Sequence, residues 1–465
     1  MITFFPKQIT ERATIVYAIA LVFVTILFNS FVMKTEFFIL GIISVVGFFF
    51  YTSQWSQSRR KEGEFVRNLF LISFALRVLW VFVSYYYYLS VNGNPFEFGA
   101  ADAIGYHEGA AELSQESFSF IFQHYFSGVS GVSDLGYSFY LTLLYKVIGP
   151  SILLPRMIKA VLSACTVILV YRLSVRTFDE YTGRMAGIMM ALMPNLIIYC
   201  GYHLKETEMI FIIVAYLERM DYLLRSKRIN FWNILLPTLL ALSLFFFRTV
   251  LGAAAVFSFA TAVLISSTPT MKKGWRRTAL IGWGVLGILV ASGGTIMTEI
   301  EGVWEDREES VVKKRTEQTL RGNQWAQYAT GTVMAPMVFV LPFATMVDVD
   351  QQYGQQEKHG GNYIRNFMGF FALLAIYEAF RRKKWRDFSL IGSFVIAYLG
   401  VISLSGFSNS ERFLLPGLPC LIMMWAYGIS TLRKQTFKLL TPWCVVVSIM
   451  EIGWAYFKLG SRGLF

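Results

Sequence analysis

Long apolar runs succeed one another along this 465-residue chain, separated by short charged loops. They lie at 13–33, 37–53, 66–90, 154–175, 183–201, 203–220, 231–247, 249–268, 278–297, 364–380, 388–406, 412–431 and 439–457. A helix that crosses a bilayer needs roughly 17–25 such residues. In hydrocarbon every backbone N–H and C=O must bond within the protein, which leaves helices or closed barrels. Runs this long that do not alternate with polar residues read as helices. Only 15% of residues are charged, against about 25% in a soluble chain. The 55% hydrophobic content excludes disorder and argues against a single water-soluble domain. The expected fold class is an all-α polytopic membrane protein of about thirteen transmembrane helices. Two shorter apolar stretches remain, 136–149 and 331–347.

The formal charge of +12 would suggest nucleic acid in a soluble protein. Here the cations gather in short loops between runs, where Lys and Arg mark the cytoplasmic side. The loops carry Arg59-Arg60-Lys61, then Arg172, Arg176 and Arg184, then Arg225, Lys227 and Arg228. Lys272-Lys273 with Arg276-Arg277, Arg381 to Lys384, and Arg433-Lys434 follow. All six can share one side only if an even number of crossings separates each neighbouring pair. That parity keeps 136–149 from crossing and makes it a helix at the outer interface. It also keeps 331–347, with Pro336 and Pro342, from crossing; this stretch should dip in from outside or lie on the surface. Lys7 and Arg12 precede a first run too long for a signal-peptide core, so it reads as an uncleaved span. The N-terminus is then cytoplasmic and the C-terminus outside. The organisation is one membrane domain, 1–465, with outer loops at 91–153 and 298–363. Cys165, Cys200, Cys420 and Cys444 are scattered and read as small core residues.

Ionisable residues at membrane depth are costly, so their positions are informative. The first outer loop holds Glu97, Asp102, Tyr106, His107, Glu108, Glu112 and Asp134. In a helix starting near 101, Asp102 and Tyr106 share a face, although Asp102 could equally serve only as a helix cap. His203, Lys205, Glu206 and Glu208 begin one span, Arg248 sits on a tight turn, and Glu411-Arg412 open another. The assigned topology puts all of them at the outer end of the bundle. Snorkelling to the interface is the plainer reading, but the turns at 205–206 and 248 leave little room to reach water. A carboxylate can take a proton from an attacking hydroxyl or amine, while Arg and Lys hold a phosphate and stabilise it as it leaves. That combination fits transfer of a group from a lipid phosphate whose tail stays in the bilayer.

The chain resembles the glycosyltransferase C superfamily, above all bacterial relatives of protein O-mannosyltransferases and aminoarabinose transferases. The resemblance covers about 66–431 and rests on ordered pieces. These are Asp102 shortly before Tyr106; Asp134-Leu135-Gly136-Tyr137 leading into Leu141 to Gly149; Arg156 entering a span that ends Val170-Tyr171-Arg172-Leu173; and Glu411-Arg412-Phe413-Leu414-Leu415-Pro416-Gly417-Leu418-Pro419. It implies a membrane glycosyltransferase that moves a sugar, hexosyl or pentosyl, from a polyprenyl-phosphate donor to a lipid, glycan or protein acceptor. Transfer is with inversion on the periplasmic face of a bacterial inner membrane. Asp102 maps onto the catalytic carboxylate. Tyr106, His107, Asp134, His203, Lys205, Glu206, Arg248, Glu411 and Arg412 are the substrate-binding candidates. The family often pairs Asp with Glu where this chain has Asp102-Ala103, which weakens the case for metal binding. No metal ligand is assigned; a divalent metal is left open.

Gly282-Trp283-Gly284-Val285-Leu286-Gly287 spells G-x-G-x-x-G inside an apolar run with no preceding strand, so a dinucleotide site is excluded. Asp348-Val349-Asp350 with His359 nearby could hold a cation, but reads first as a loop cap. The mixed charges from Glu305 to Arg315 read as a solvated helix, and His124 as structural. Two rival functions stay open: an O-antigen polymerase or ligase, and a lipid-linked glycan flippase or secondary transporter. The second should show paired repeats, and none is visible.

Overall fold

A computed structural model describes residues 3–58, 60–126, 135–226, 230–265, 337–349, 352–404, 410–460 and 462–464. Among them 82% are helical and no strand forms. Twelve of the expected crossings coincide with helices: α1 Lys7–Leu27, α2 Thr35–Ser56, α3 Glu62–Asn92, and, after three shorter helices, α7 Leu153–Thr177. The intervening helices are α4 Ala101–Leu113, α5 Phe118–Phe126 and α6 Leu135–Ile148. Next come α8 Glu180–Leu192, α9 Pro194–Ile198, α10 Glu206–Arg225, α11 Phe231–Phe247 and α12 Thr249–Ile265. The last are α13 His359–Arg381, α14 Ser389–Leu404, a short turn Glu411–Leu414 leading into α15 Leu418–Ser430, and α16 Leu440–Gly460. The run 278–297, the glycine motif at 282–287 and the charged segment 305–315 lie outside the described residues. Among the described residues, six helices are long and apolar enough to cross a membrane by themselves, and α8 with α9, bent by 53°, passes the same test as a pair. These features fit a multi-pass membrane protein. Pro194 at the start of α9 causes the bend, because it cannot donate to α8.

Burial sorts the helices. The span Glu411–Ser430 is 94% buried, whereas α1, α2 and α16 are one-third buried. The first is therefore the axis of the bundle, and the others turn residues such as Ile15, Phe23, Ile43 and Ile449 outward, as lipid-facing helices do. Close approach at the axis depends on glycine. A Cβ on Gly428 would lie 2.2 Å from the Phe371 carbonyl oxygen of α13, and one on Gly41 of α2 would lie 2.0 Å from His359 Nε2.

Segment 337–349 enters the bundle without becoming a helix. Val340, Leu341, Phe343, Ala344 and Val347 are buried, so of the two placements expected from the sequence this part dips in rather than lying on the surface. Its carbonyls are satisfied by side chains of α13. Asn366 Nδ2 donates to Val340 O (2.5 Å) and Pro342 O (2.9 Å), and Arg365 Nη2 donates to Val338 O (3.2 Å). Irregular backbone survives at membrane depth only where protein groups complete it in this way.

The bundle has two polar ends. At one, Arg184 donates to Arg60 O, Arg176 pairs with Glu218 and Asp221, and Glu378 collects Arg381, Arg382 and Arg433. All of these cations come from basic loops that parity puts together. α7 spans about 36 Å from that end to the other, where Arg156 and Lys159 enter its first turns.

Candidate active site

Four helix ends converge opposite the basic loops: the start of α4, the start of α10, the end of α11 and the turn before α15. Asp102 lies in the first turn of α4, whose N-cap is Ala100 with no side-chain cap bond. Asp102 therefore does not cap. Its side chain is 58% exposed, and its Oδ2 is held by Arg412 Nη1. Arg412 Nε grips Glu206 Oε1 in the first turn of α10, and Glu206 is fully buried. A carboxylate there is also favoured by the positive end of the helix dipole. Arg248, at the C-cap of α11, brings Nη2 to 4.0 Å from the same Glu206 oxygen. Its guanidinium lies over the Phe413 ring at 4.5 Å, and its buried Nη1 has no partner among the described residues. Three cations, Arg412, Arg248 and Lys205, surround two carboxylates. Lys205 precedes α10, and burial, then the neighbouring Arg248, lowers its ammonium to about 7. Arg412 and Arg248 balance the two carboxylates, and Lys205 in its protonated form adds one positive charge, which suits an anion. Asp102 is the exposed carboxylate beside it.

Behind this cluster a chain of hydrogen bonds runs inward. His107 Nδ1 meets the Tyr145 hydroxyl at 2.8 Å, and that hydroxyl meets His203 Nε2 at 3.3 Å. Burial lowers the pKa of both imidazoles. Tyr106 packs edge-on against Tyr137 at 5.1 Å, which places it between Asp102 and the His203 group. Glu411 turns away from Asp102: its Oε1 accepts from Asn195, and its Oε2 lies 3.5 Å from Lys358 Nζ. It anchors the turn that carries Arg412. Of the sequence candidates, the structure gathers Asp102, Lys205, Glu206, Arg248 and Arg412 with Tyr106 beside them. His107 and His203 pair one layer behind, and Glu411 lies inside the bundle. Asp134 lies outside the described residues.

Several buried ionisable groups are not among the site candidates drawn from the sequence. Arg156 Nη2 lies 3.7 Å from Glu97 Oε2, and Lys159 Nζ lies 3.7 Å from Glu208 Oε2. Glu357 accepts from the Tyr88 and Tyr202 hydroxyls at 2.6 and 2.9 Å, and burial raises its carboxyl to about 7. The available signal was a Lys or Arg three residues apart inside an apolar run, as at Arg156 and Lys159. His359 bonds Tyr17 through Nε2 and Gln356 O through Nδ1, so both ring nitrogens are engaged inside the bundle. Asp348 accepts from Gln356, and Asp350 lies outside the described residues. Among the described residues no three His, Cys, Asp or Glu side chains converge as a metal centre requires.

The chain matches no family model and no curated protein. Among solved structures it is similar to the oligosaccharyltransferase AglB of Archaeoglobus fulgidus in complex with an inhibitory peptide and a dolichol-phosphate. It is also similar to the Archaeoglobus fulgidus oligosaccharyltransferase in complex with Zn and sulfate. Identity is 12% and the TM-score 0.46 in both cases, with 86% of this chain covered. The chain spans 56% and 53% of the two, about half their length. A likeness this distant bears on neither superfamily, substrate nor residue roles.

Proposed function

We propose that the protein is a membrane glycosyltransferase that uses a polyprenyl-phosphate-linked sugar, with Asp102 as general base and Arg412, Arg248 and Lys205 holding the phosphate. The observation that carries this reading is the exposed Asp102 carboxylate fastened to Arg412, with Arg248 and Lys205 in the same cluster. The donor phosphate competes with Glu206 and Asp102 for Arg412 and takes the unpartnered Arg248 Nη1. As Arg412 turns to the phosphate, Asp102 is released to accept the proton of the acceptor hydroxyl or amine. The acceptor then attacks the anomeric carbon from the side opposite the phosphate, which inverts the centre. The phosphate leaves with the bonding electrons, and fixed cations stabilise that charge better than water does.

The membrane assignment of this reading is the bacterial inner membrane, with the N-terminus cytoplasmic and the site facing out. All the short basic loops described lie at the end of the bundle away from Asp102, as the preference of Lys and Arg for the cytoplasmic side requires. The chain is taken as one membrane domain with outer loops 91–153 and 298–363. The test is mass spectrometry of envelope lipids and glycans from cells carrying the wild-type chain or Asp102→Asn. The expected result is a hexose- or pentose-bearing product that disappears in the variant. Identical products from both overturn the assignment.

A further inference from the structure

We propose that Lys159 is a positioning residue that clamps the turn 202–205 and so sets where Glu206 holds Arg412. Lys159 is fully buried in the second turn of α7. Its Nζ donates to Tyr202 O at 3.0 Å and also to Leu204 O. The same ammonium lies 3.7 Å from Glu208 Oε2 and 4.9 Å from the Tyr137 ring centre. The turn is held from two further directions. The His203 N–H donates to Glu97 Oε2 at 3.2 Å, and the Tyr202 hydroxyl donates to Glu357 Oε2 at 2.9 Å. Lys205 and Glu206 follow directly. A turn between a bent span and α10 has no helical ladder to fix it, and Tyr202, His203 and Lys205 within it are buried. A buried ammonium with three rotatable donors can meet two carbonyls and one carboxylate at once. No other described side chain donates to these two carbonyls.

The kinetic part of this inference rests on the glycosyl-transfer reading; the structural part does not. In the full-length protein in detergent, hydrogen exchange is followed on peptides covering 199–209 for wild type, Lys159→Met and Glu208→Gln. Lys159→Met keeps the bulk and removes the donors. We expect amides 202–206 to exchange about tenfold faster in Lys159→Met, with the remainder of α7 and α10 unchanged, and Glu208→Gln to stay close to wild type. Unchanged exchange in folded Lys159→Met overturns the inference. So does an equal rise in Glu208→Gln, which would make Lys159 only a counter-ion. Where Lys159→Met fails to fold, Lys159→Gln, which keeps one shorter donor, is read on the same peptides by the same criteria.

Transfer kinetics give the second readout. A misplaced Arg412 should lower kcat about tenfold to a hundredfold. Lys159→Met combined with Glu206→Gln should lose less than the product of the two single losses, because both act through the same turn. Multiplicative losses overturn the inference. A wild-type protein that transfers no sugar refutes the proposed function, and the exchange result then decides the role of Lys159 alone.

Discussion

Replacing Glu206 by Gln keeps the shape of the side chain and removes one buried negative charge. Arg248 Nη2 lies 4.0 Å from it, and two unit charges at that distance interact by about 4 kcal/mol at an effective dielectric near 20. Arg412 is 23% exposed on its side chain, so solvent screens part of the change there, and about 2 kcal/mol is a fair working figure. The sign matters more than the size. Losing this carboxylate leaves Arg412 and Arg248 less satisfied, so an incoming phosphate gains what Glu206 gave up. Donor KM should fall by about tenfold or more. Because the phosphate product is held equally hard and Arg412 has lost its guide, kcat should fall as well. The assay is transfer of labelled sugar from polyprenyl phosphate in proteoliposomes over a range of donor concentrations. A rise in KM with kcat unchanged would refute the placement of Glu206 as the competitor for the phosphate-binding arginines.

Asp102→Asn should lower kcat by about 10²–10⁴-fold, since the general base is lost, with donor KM falling less than in Glu206→Gln because the competing Asp102 carboxylate is largely exposed; the same assay reads it, and wild-type turnover would sink the role. Lys205 has a pKa near 7, so its charge is present below that value and is lost as pH rises through it. Donor affinity should therefore weaken above pH 7, and Lys205→Arg should flatten that slope; a titration of KM from pH 6 to 9 checks both. Asn366→Ala removes the donor to two buried carbonyls, Val340 O and Pro342 O, and should cost about 1–3 kcal/mol for each acceptor left bare. Thermal unfolding in detergent measures that loss.

The helices were legible because hydrocarbon admits so few backbone arrangements that length and apolarity nearly suffice. The preference of Lys and Arg for one side puts the basic loops together, and among the described residues the contacts between Arg184 and Arg60 and between Arg433 and Glu378 agree with it. The convergence of Asp102 with Arg412 was in reach of the sequence because the span pattern puts both at the same end of the bundle. Other features were hidden for physical reasons. Lys159 and Arg156 sit inside an apolar run, where sequence cannot tell a snorkelling cation from one that holds a backbone turn. Glu411 reads like a binding residue beside Arg412, yet successive residues on a turn point apart, and its carboxylate goes to Asn195 and Lys358. The insertion of 337–349 depends on Asn366 and Arg365, some twenty-five residues away, and no local pattern announces such partners.

The span that begins at Glu411 carries Arg412 on one face of the bundle and leads to Arg433 on the other. Gly428 seats it against the Phe371 backbone with no space for a methyl group. That contact fixes how closely the span lies against α13. A molecule that engages Arg412 meets a side chain whose turn leads directly into this closely seated span. Small residues along this axis should thus be as intolerant of enlargement as the charged groups at its tip are of neutralisation.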